Sequence, residues 1–453
     1  MQKISGKLHI PASTDQDHVV PERVIEQRQL KGPLRAFSAL RHRNFRLFWG
    51  GQLISLIGTW MQSIGQAWLV LELTHSAWLL GIVGALQFLP VMFLSLFGGV
   101  LADRLPKRRV LLFTQSSAML QAAILWILVA TGTVQIWHVL VLAFMLGLTN
   151  SFDMPTRQAF VMEMVGKEDL PNAVALNSSL FNMARIVGPG IGGIIIAVLG
   201  VAPLFLLNAF SFIPVIIGLA LIDLQQLHTR SARTASEQAK SASQSTLQSL
   251  REGLNYVVRT PVVLLIIAVV GTVSLFGINF NVVLPLFATE VLHVGPAGFG
   301  FISSAFGFGS LISALWLAWS NSKRSMQFLL VSALAFCVCE AAFALSPWYL
   351  ASLALIAIVG FAQIAFSATS NTILQTVSPD YLRGRVMSVY MMVFAGSIPL
   401  GNLLTGGLAH LFGAPTALLI GAGLSLVAAI AGWILRKPAE KNLMESRQVQ
   451  AQP

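Results

Sequence analysis

Uncharged polar side chains recur along one otherwise apolar stretch of the chain. Their spacing of 3, 4, 3 and 4 residues places them on one face of a helix: Gln52, Ser55, Thr59, Gln62 and Gln66. On a helix in apolar surroundings, such groups either line a cavity or hydrogen-bond to neighbouring helices. Five groups exceed what a packing contact needs and favour a cavity. The chemistry they offer is hydrogen bonding to a small molecule.

Polar groups also interrupt three later apolar stretches. We expect the same cavity to be lined by Ser178, Asn182, Arg185, Asn281, Gln363 and Ser367. An ionisable residue inside an apolar stretch is costly and usually functional. Arg185 could therefore bind an anionic group or pair with an acid, and both alternatives are open.

Glu340 is the one carboxylate deep inside an apolar stretch. It is a candidate proton carrier, with a structural hydrogen bond as the alternative. The acid–histidine pairs Glu72/His75 and Glu290/His293 offer two ligands each, which is too few for a metal site. We expect no metal and no cofactor.

The composition indicates what must position these residues. Hydrophobic residues make up 55% of the 453 and charged residues 10%, against about 25% charged in soluble proteins. The formal net charge of +11 could suggest a nucleic-acid partner, but the cations lie in the tails and between apolar stretches. That distribution is typical of a multi-pass membrane protein and argues against nucleic acid.

Runs of about 18 or more apolar residues predict membrane-spanning helices. The sequence predicts an all-α membrane protein with twelve transmembrane helices, at residues 45–71, 77–102, 110–131, 136–152, 174–199, 203–222, 261–289, 297–319, 326–345, 348–374, 386–412 and 415–435. None of the 29 Lys and Arg residues falls in the odd-numbered connections. The positive-inside rule therefore places both termini in the cytoplasm.

The chain also repeats itself. The Glu72/His75 pair after the first span matches Glu290/His293 after the seventh, as expected for two six-helix halves related by a parallel repeat. The predicted domains are a cytoplasmic N-terminal tail (1–43), an N-terminal six-helix bundle (44–223), a cytoplasmic linker (224–260), a C-terminal six-helix bundle (261–435) and a cytoplasmic tail (436–453). Within the linker, LQSLREGLNYVVRT is expected to form a surface helix.

The loop GVLADRLPKRRVL, between the second and third spans, carries a recognisable pattern. Its form G-x-L-A-D-R-x-x-x-R-R-x-L resembles the signature of the major facilitator superfamily of transporters, and the matching residues are Gly99, Leu101, Ala102, Asp103, Arg104, Arg108, Arg109 and Leu111. The resemblance implies the major facilitator fold, in which spans one, four, seven and ten surround the substrate path. The polar residues of the first, seventh and tenth spans fall on three of those four spans.

Two further motifs narrow the resemblance. The sequence GPGIGG supplies Gly188, Pro189, Gly192 and Gly193, which match a fifth-span motif of antiporters that export their cargo. A packing hinge of any transporter is the alternative. The stretch NSFDMPTRQAF and the residues after it resemble the branch that contains drug–proton antiporters and enterobactin-type siderophore exporters.

Charged residues at the cytoplasmic ends of the spans predict an inner gate. Asp153 and Arg157 are four apart and can pair on one helical face. With Gly99, Asp103, Arg104, Arg108 and Arg109 they form the expected network, in which Asp103 faces Arg385. A static surface cluster is the alternative.

These observations predict a secondary active transporter of the bacterial cytoplasmic (inner) membrane. It would export a small amphipathic molecule of drug or siderophore type, by proton antiport with alternating access. An importer or lipid flippase of the same fold is one alternative, and a transport-inactive membrane sensor or scaffold is another. No phosphate-binding loop and no deep nucleophile–base pair is present in the sequence, so we expect neither an ATP-driven pump nor an enzyme. The expected partners are cargo, protons and the lipid bilayer, and the expected state is a monomer.

Overall fold

A computed structural model describes residues 33–228, 251–320 and 325–450. For residues 33–36, 95–104 and 440–450 it describes the backbone alone. The side chains of Asp103 and Arg104, and any contact of Gly99, are therefore outside the described part, and so is most of the linker before residue 251. All regular structure in the described ranges is helical.

A short 3-10 helix, Pro33–Arg41, leads into the first long helix. The helices of the first half are α1 (Arg43–Thr74), α2 (Ala77–Arg104), α3 (Lys107–Ala130), α4 (Ile136–Leu199) and α5 (Ala202–Ala220). After a second 3-10 helix (Leu224–Gln226) come α6 (251–259), α7 (Pro261–Phe276), α8 (Phe280–Glu290), α9 (Pro296–Trp319), α10 (Met326–Ala344), α11 (Tyr349–Val377), α12 (Asp380–Phe412) and α13 (Ala414–Gln450). Helix α6 falls within the surface helix predicted for the linker.

Helix α4 differs from the two separate spans predicted for its residues. It has 64 residues, about 96 Å at 1.5 Å per residue, which is far more than one membrane crossing. It bends at Gly166, whose φ of 72° and ψ of −178° are not helical. The first arm does not end at residue 152 as predicted. It continues past Asp153 and Arg157 to Gly166, because a helix satisfies its own backbone hydrogen bonds in water as well as in lipid.

The predicted seventh span is also not a single helix. It is divided into α7 and α8 at residues 277–279, where the Asn279 side chain donates a hydrogen bond to the Leu275 carbonyl at 2.8 Å. Such an interruption is tolerated at membrane depth where it is packed against protein or borders a cavity. Ile278, Phe280 and Asn281, at this break, line the cavity described below.

Ten stretches of the described chain are long and apolar enough to cross a membrane. One of them is α4, whose two arms are separate crossings, and α1 is not among them because its polar face lowers its hydropathy. Counting α1 and both arms of α4 brings the number to the predicted twelve. Large apolar side chains such as Phe113, Trp319 and Val427 are exposed on the outside of these helices, as expected for contact with lipid.

Two glycine crossings join the two halves at the ends of the helices that we predict to be extracellular. Helix α4 packs on α9, where a Cβ added to Gly193 would lie 2.5 Å from the Pro296 carbonyl oxygen and 2.9 Å from Gly300 Cα. Helix α2 packs on α12, where a Cβ on Gly81 would lie 3.0 Å from Gly406 Cα. These backbones approach so closely only because the residues have no side chain.

The repeat seen in the sequence has a structural counterpart. His75 and His293 both have φ of 49°, and they are the two non-glycine residues of the described chain with positive φ. His75 is the residue directly after α1, whereas His293 lies three residues after α8 ends at Glu290, so the two halves share a positive-φ histidine in corresponding connections.

Candidate functional site: a central cavity

A cavity of about 1980 Å³ lies between the two halves. Its walls come from all five long helices of the first half, α1 to α5, and from α8, α9, α11 and α12 of the second. The lining extends to Lys107, Glu163 and His228 at the end that carries the basic connections. At the other end the glycine crossings hold the halves together. The cavity is thus closed at one end of the bundle.

Most of the residues that the polar stripes predicted are in its wall. These are Gln52, Ser55, Thr59, Gln66, Ser178, Asn182, Arg185, Asn281 and Gln363. The amide oxygens of Gln66 and Gln363, and the amide nitrogen of Gln52, are buried and have no hydrogen-bond partner among the described residues. A buried amide group without a partner is costly, and a polar molecule in the cavity could supply one.

Gln62 and Ser367 are not part of the cavity wall. Gln62 is buried and donates a hydrogen bond to Gln121 Oε1 at 2.8 Å, while its own Oε1 accepts one from Asn208 Nδ2 at 2.6 Å. Gln62 thus links α1 to α3 and α5 by hydrogen bonds between helices, which was the alternative to a cavity-lining role for this face. The cavity interpretation of the stripe therefore fits four of its five residues.

Glu340 also lies away from the cavity. It is 1% exposed, it is in α10, and its Oε2 has no hydrogen-bond partner among the described residues. Of the glycine motif, Pro189 lines the cavity. Gly188 packs closely on Trp60, Gly192 on Met61, and Gly193 forms the crossing with α9.

Asp153 and Arg157 form the ion pair expected from their spacing. The Asp153 carboxylate also accepts hydrogen bonds from Thr114 Oγ1 and Gln115 Nε2, both at 2.7 Å, and Arg157 donates to Gln52 Oε1. The cluster connects α1, α3 and α4 in the cavity wall. Each charge is satisfied within the protein.

The other predicted gate residues do not pair with Asp153 or Arg157. Arg108 donates to the carbonyls of Leu219 and Ala220 at the end of α5. Its neighbour Lys107, which was not among the predicted gate residues, pairs with Glu163 at 2.7 Å. Arg109 is exposed.

Arg385 pairs with Glu252 of α6, a partner that no pattern in the sequence predicted. Its predicted approach to Asp103 stays a prediction, because that side chain is outside the described part.

The chain before α1 is attached to the second arm of α4. Ser38 Oγ donates to Asp169 Oδ1 at 2.6 Å, His42 Nε2 lies 2.8 Å from Asp169 Oδ2, and the Ala39 amide donates to Asn172 at 2.9 Å. Burial by itself would raise the pKa of Asp169. The hydrogen bonds from Ser38 and His42 and the charges of His42 and Arg41 outweigh it, so the pKa is lowered from its ordinary value.

Both halves contribute polar and apolar groups to the cavity wall. Most of the polar groups come from the first half, which also contributes apolar and aromatic ones such as Trp60, Phe88 and Phe181. The second half contributes Ile278, Phe280, Leu284, Phe299, Phe306 and Ile398 together with Asn281, Ser303, Gln363 and Asn402. A cavity that offers both polar and apolar groups suits an amphipathic molecule.

Arg185 lies between the walls. Its guanidinium carbon is 4.7 Å from the ring centre of Phe306 and 5.9 Å from that of Trp60.

Several lining residues were not singled out in the sequence. Gln87, Asn150, Asn177 and Asn402 are also in the wall, and an uncharged polar residue within an apolar span was the signal that could have found them. Trp60 and Phe306 gave no such signal, because aromatic residues are common everywhere in membrane helices.

Comparison with known proteins agrees with this architecture. The family model described as "Transmembrane secretion effector" matches residues 34–453. The chain is 32% identical over 356 residues to the multidrug efflux pump Tap of Mycolicibacterium fortuitum, covering 76% of this chain and 84% of Tap. It is 27% identical to the staphyloferrin A transporter of Staphylococcus aureus, with 81% and 90% covered. It is 25% identical to the enterobactin exporter EntS of Shigella boydii, with 81% and 85% covered.

Solved structures share the fold at low sequence identity. The nucleoside transporter NupG superposes with a TM-score of 0.68 at 17% identity, covering 88% of this chain and 99% of NupG. A bacterial homologue of the lysosomal transporter Spinster, inward-facing and occupied, gives a TM-score of 0.65 at 11% identity, covering 90% of this chain and 98% of the homologue. The chain therefore belongs to the transmembrane secretion effector family of the major facilitator superfamily, and it is a non-enzymatic, multi-pass transporter of the bacterial inner membrane.

Proposed function

We propose that this protein exports small amphipathic molecules of drug or siderophore type by alternating access, coupled to proton entry. The observation that carries the proposal is the large cavity between the halves, which is lined by both polar and apolar groups and closed at one end. The names of the similar proteins, an efflux pump and a siderophore exporter among them, favour export over import.

Alternating access requires the two ends of the cavity to open in turn. In the conformation described, the glycine crossings close the end predicted to be extracellular. Cargo would enter from the basic, cytoplasmic end, past Lys107, Glu163 and His228. We propose that separation of the glycine crossings then opens the other end.

We propose the charged residues at the basic end as the inner gate. When that end closes, the ion pairs Lys107–Glu163 and Asp153–Arg157 would exchange partners with the signature loop and with Arg385. Glu340 stays the candidate proton carrier. It lies off the cavity, so a proton and the cargo would bind at separate places.

Accumulation assays in cells test the proposal. Cells that express the protein should accumulate less of a cationic dye (ethidium) or of a catecholate siderophore than cells without it, and a protonophore should remove the difference. Higher accumulation on expression would indicate uptake. No difference with either cargo would contradict export of these classes.

A blocking variant separates transport from a sensing or scaffold role. Ser55 is 3% exposed and lines the cavity, so Ser55→Trp should abolish the difference in accumulation. Val427→Trp, on the lipid-facing side of α13, is the matched control and should retain it. Equal export by both variants would contradict a transport path through this cavity.

A further inference from the structure

The charges in the cavity wall do not balance. The described lining contains Lys107, Asp153, Arg157, Glu163 and Arg185, besides His228. Lys107 pairs with Glu163, and Arg157 pairs with Asp153. Arg185 is left as the one formal charge of the described lining without an ion-pair or hydrogen-bond partner among the described residues.

None of the ion pairs among the described residues joins a carboxylate to Arg185. The two acids in the wall are held by their own cations. Glu340 is sealed inside the second half, and Glu72 accepts a hydrogen bond from Trp68 at 2.7 Å near the closed end. An arginine in a cavity at membrane depth is costly when it is unpaired. An anionic group on the cargo would relieve this cost.

The surroundings of Arg185 leave its donors available. Its contacts are with the rings of Phe306 and Trp60, at 4.7 and 5.9 Å. Ring faces stabilise a guanidinium group by cation–π attraction and do not accept its in-plane hydrogen bonds. The planar fork of an arginine matches a carboxylate or another pair of anionic oxygens.

The neighbouring groups define the rest of the binding site. Phe280 and Phe306 are in ring contact, with centroids 4.5 Å apart, and both line the cavity with Phe299. The unpartnered amide oxygens of Gln66 and Gln363 are also in the wall. The site thus combines one cation, hydrogen-bond acceptors and an aromatic surface within one cavity.

We infer that the cavity selects organic anions, with an acidic group that binds Arg185 and an aromatic or apolar body that contacts the second half. This rests on the proposed transport function and narrows it. Between drug-like cations and acidic siderophore-like molecules, the unpaired arginine favours the latter. Arg185 is the residue that determines this selectivity.

Binding of two isosteric probes tests the inference. The full-length protein in lipid nanodiscs would be dialysed against 2-naphthoate and the uncharged 2-naphthamide, with empty nanodiscs subtracted. Hydrogen bonds to a charged group predict that 2-naphthoate binds about 10- to 100-fold more tightly. Arg185→Gln should bind both probes equally, whereas Arg185→Lys should keep a preference for the anion.

The control is an arginine outside the cavity. Arg259 is exposed on α6, so Arg259→Gln removes the same charge and should leave the preference unchanged. Circular dichroism would establish that each variant is folded. If the glutamine variant is not, a weaker preference for the anion in Arg185→Lys than in the wild type carries the test, because lysine lacks the bidentate fork. Equal binding of the two probes by the wild type, binding of neither, or an anion preference that survives in a folded Arg185→Gln protein would overturn the inference.

The failure of this inference can be told apart from failure of the proposed function. Cells that export ethidium while the purified protein shows no preference for 2-naphthoate would retain the export function and lose the anion site. A preference for the anion in a protein that changes the accumulation of neither test cargo would keep the site and contradict export of those cargoes.

Discussion

The α4–α9 crossing allows a quantitative test of the closed end. Replacing Gly193 with Ala adds a Cβ that would lie 2.5 Å from the Pro296 carbonyl oxygen, where ordinary contacts are 3.4–4 Å. The two helices must separate by about 1 Å to accept it. Excess volume of this kind typically costs about 1–3 kcal/mol. If the cost falls only on the state in which the crossing is closed, the equilibrium shifts about 5- to 150-fold toward the open state.

Distance measurements between spin labels would detect this shift. Thr133 and Pro347 are exposed and lie in connections at the same end of the two halves. Labels at these positions, with Cys337 and Cys339 replaced by alanine, should give a longer mean distance in Gly193→Ala than in the unaltered glycine background. Gly300→Ala, on the opposite side of the crossing, should act in the same direction.

A glycine without close neighbours is the matched control. A Cβ on Gly423 would meet no atom within 4 Å, so Gly423→Ala should leave the distance distribution unchanged. The reasoning is refuted if Gly193→Ala and Gly423→Ala give the same distribution, because the crossing would then not hold the halves together.

Three further predictions concern the first half, the buried acid and the N-terminal segment. Gln62→Leu should lower the free energy of unfolding by about 1–3 kcal/mol, because it leaves the amides of Gln121 and Asn208 without their partner. Thermal denaturation in detergent measures this change, and an unchanged midpoint would contradict the prediction. Glu340→Gln should leave cargo binding unchanged and abolish proton-driven export. Export that persists in this variant and is still removed by a protonophore would exclude Glu340 as the proton carrier. The lowered pKa of Asp169 means that the attachment of residues 37–42 is present above pH 3.8, the ordinary value, and is lost as pH falls through the lowered value. Hydrogen exchange of residues 37–42, corrected for the intrinsic rate, should therefore be slow at pH 5 and become faster as the pH falls below 3.8. It should already be fast at pH 5 in Asp169→Asn, and a wild type with the same exchange as the variant at pH 5 would contradict the proposed attachment.

Part of the candidate site could be predicted because helical periodicity assigns residues to a face. Gln52, Ser55, Thr59 and Gln66 line the cavity as the stripe predicted, and Asp153 pairs with Arg157 as their spacing predicted. Periodicity does not say which neighbour covers a given face at a given depth. Gln62 shares the stripe, yet it is enclosed by Gln121 and Asn208 of other helices.

Contacts between distant segments could not be predicted from local patterns. Arg385 and Glu252 are 133 residues apart, and the pairing depends on how α6 packs against the start of α12. The local backbone around Gly166 and at residues 277–279 was not predicted either. The chain around Gly166 was expected to be a loop and is helical on both sides of that glycine, and residues 277–279 were expected to continue a span and instead break it. In both places local backbone conformation, set by glycine and by packing, overrides hydropathy.

The sequence by itself determined the membrane class, the twelve crossings and the family, because a chain in lipid must satisfy its backbone within apolar segments of fixed minimum length. The signature loop and the glycine motif indicated the family. Only the tertiary structure decided that the glycine crossings close one end of the cavity and that Arg185 has no partner among the described residues. Both depend on which helices pack against each other across the two halves. Hydropathy and residue spacing describe single segments of the chain and do not specify contacts between distant helices.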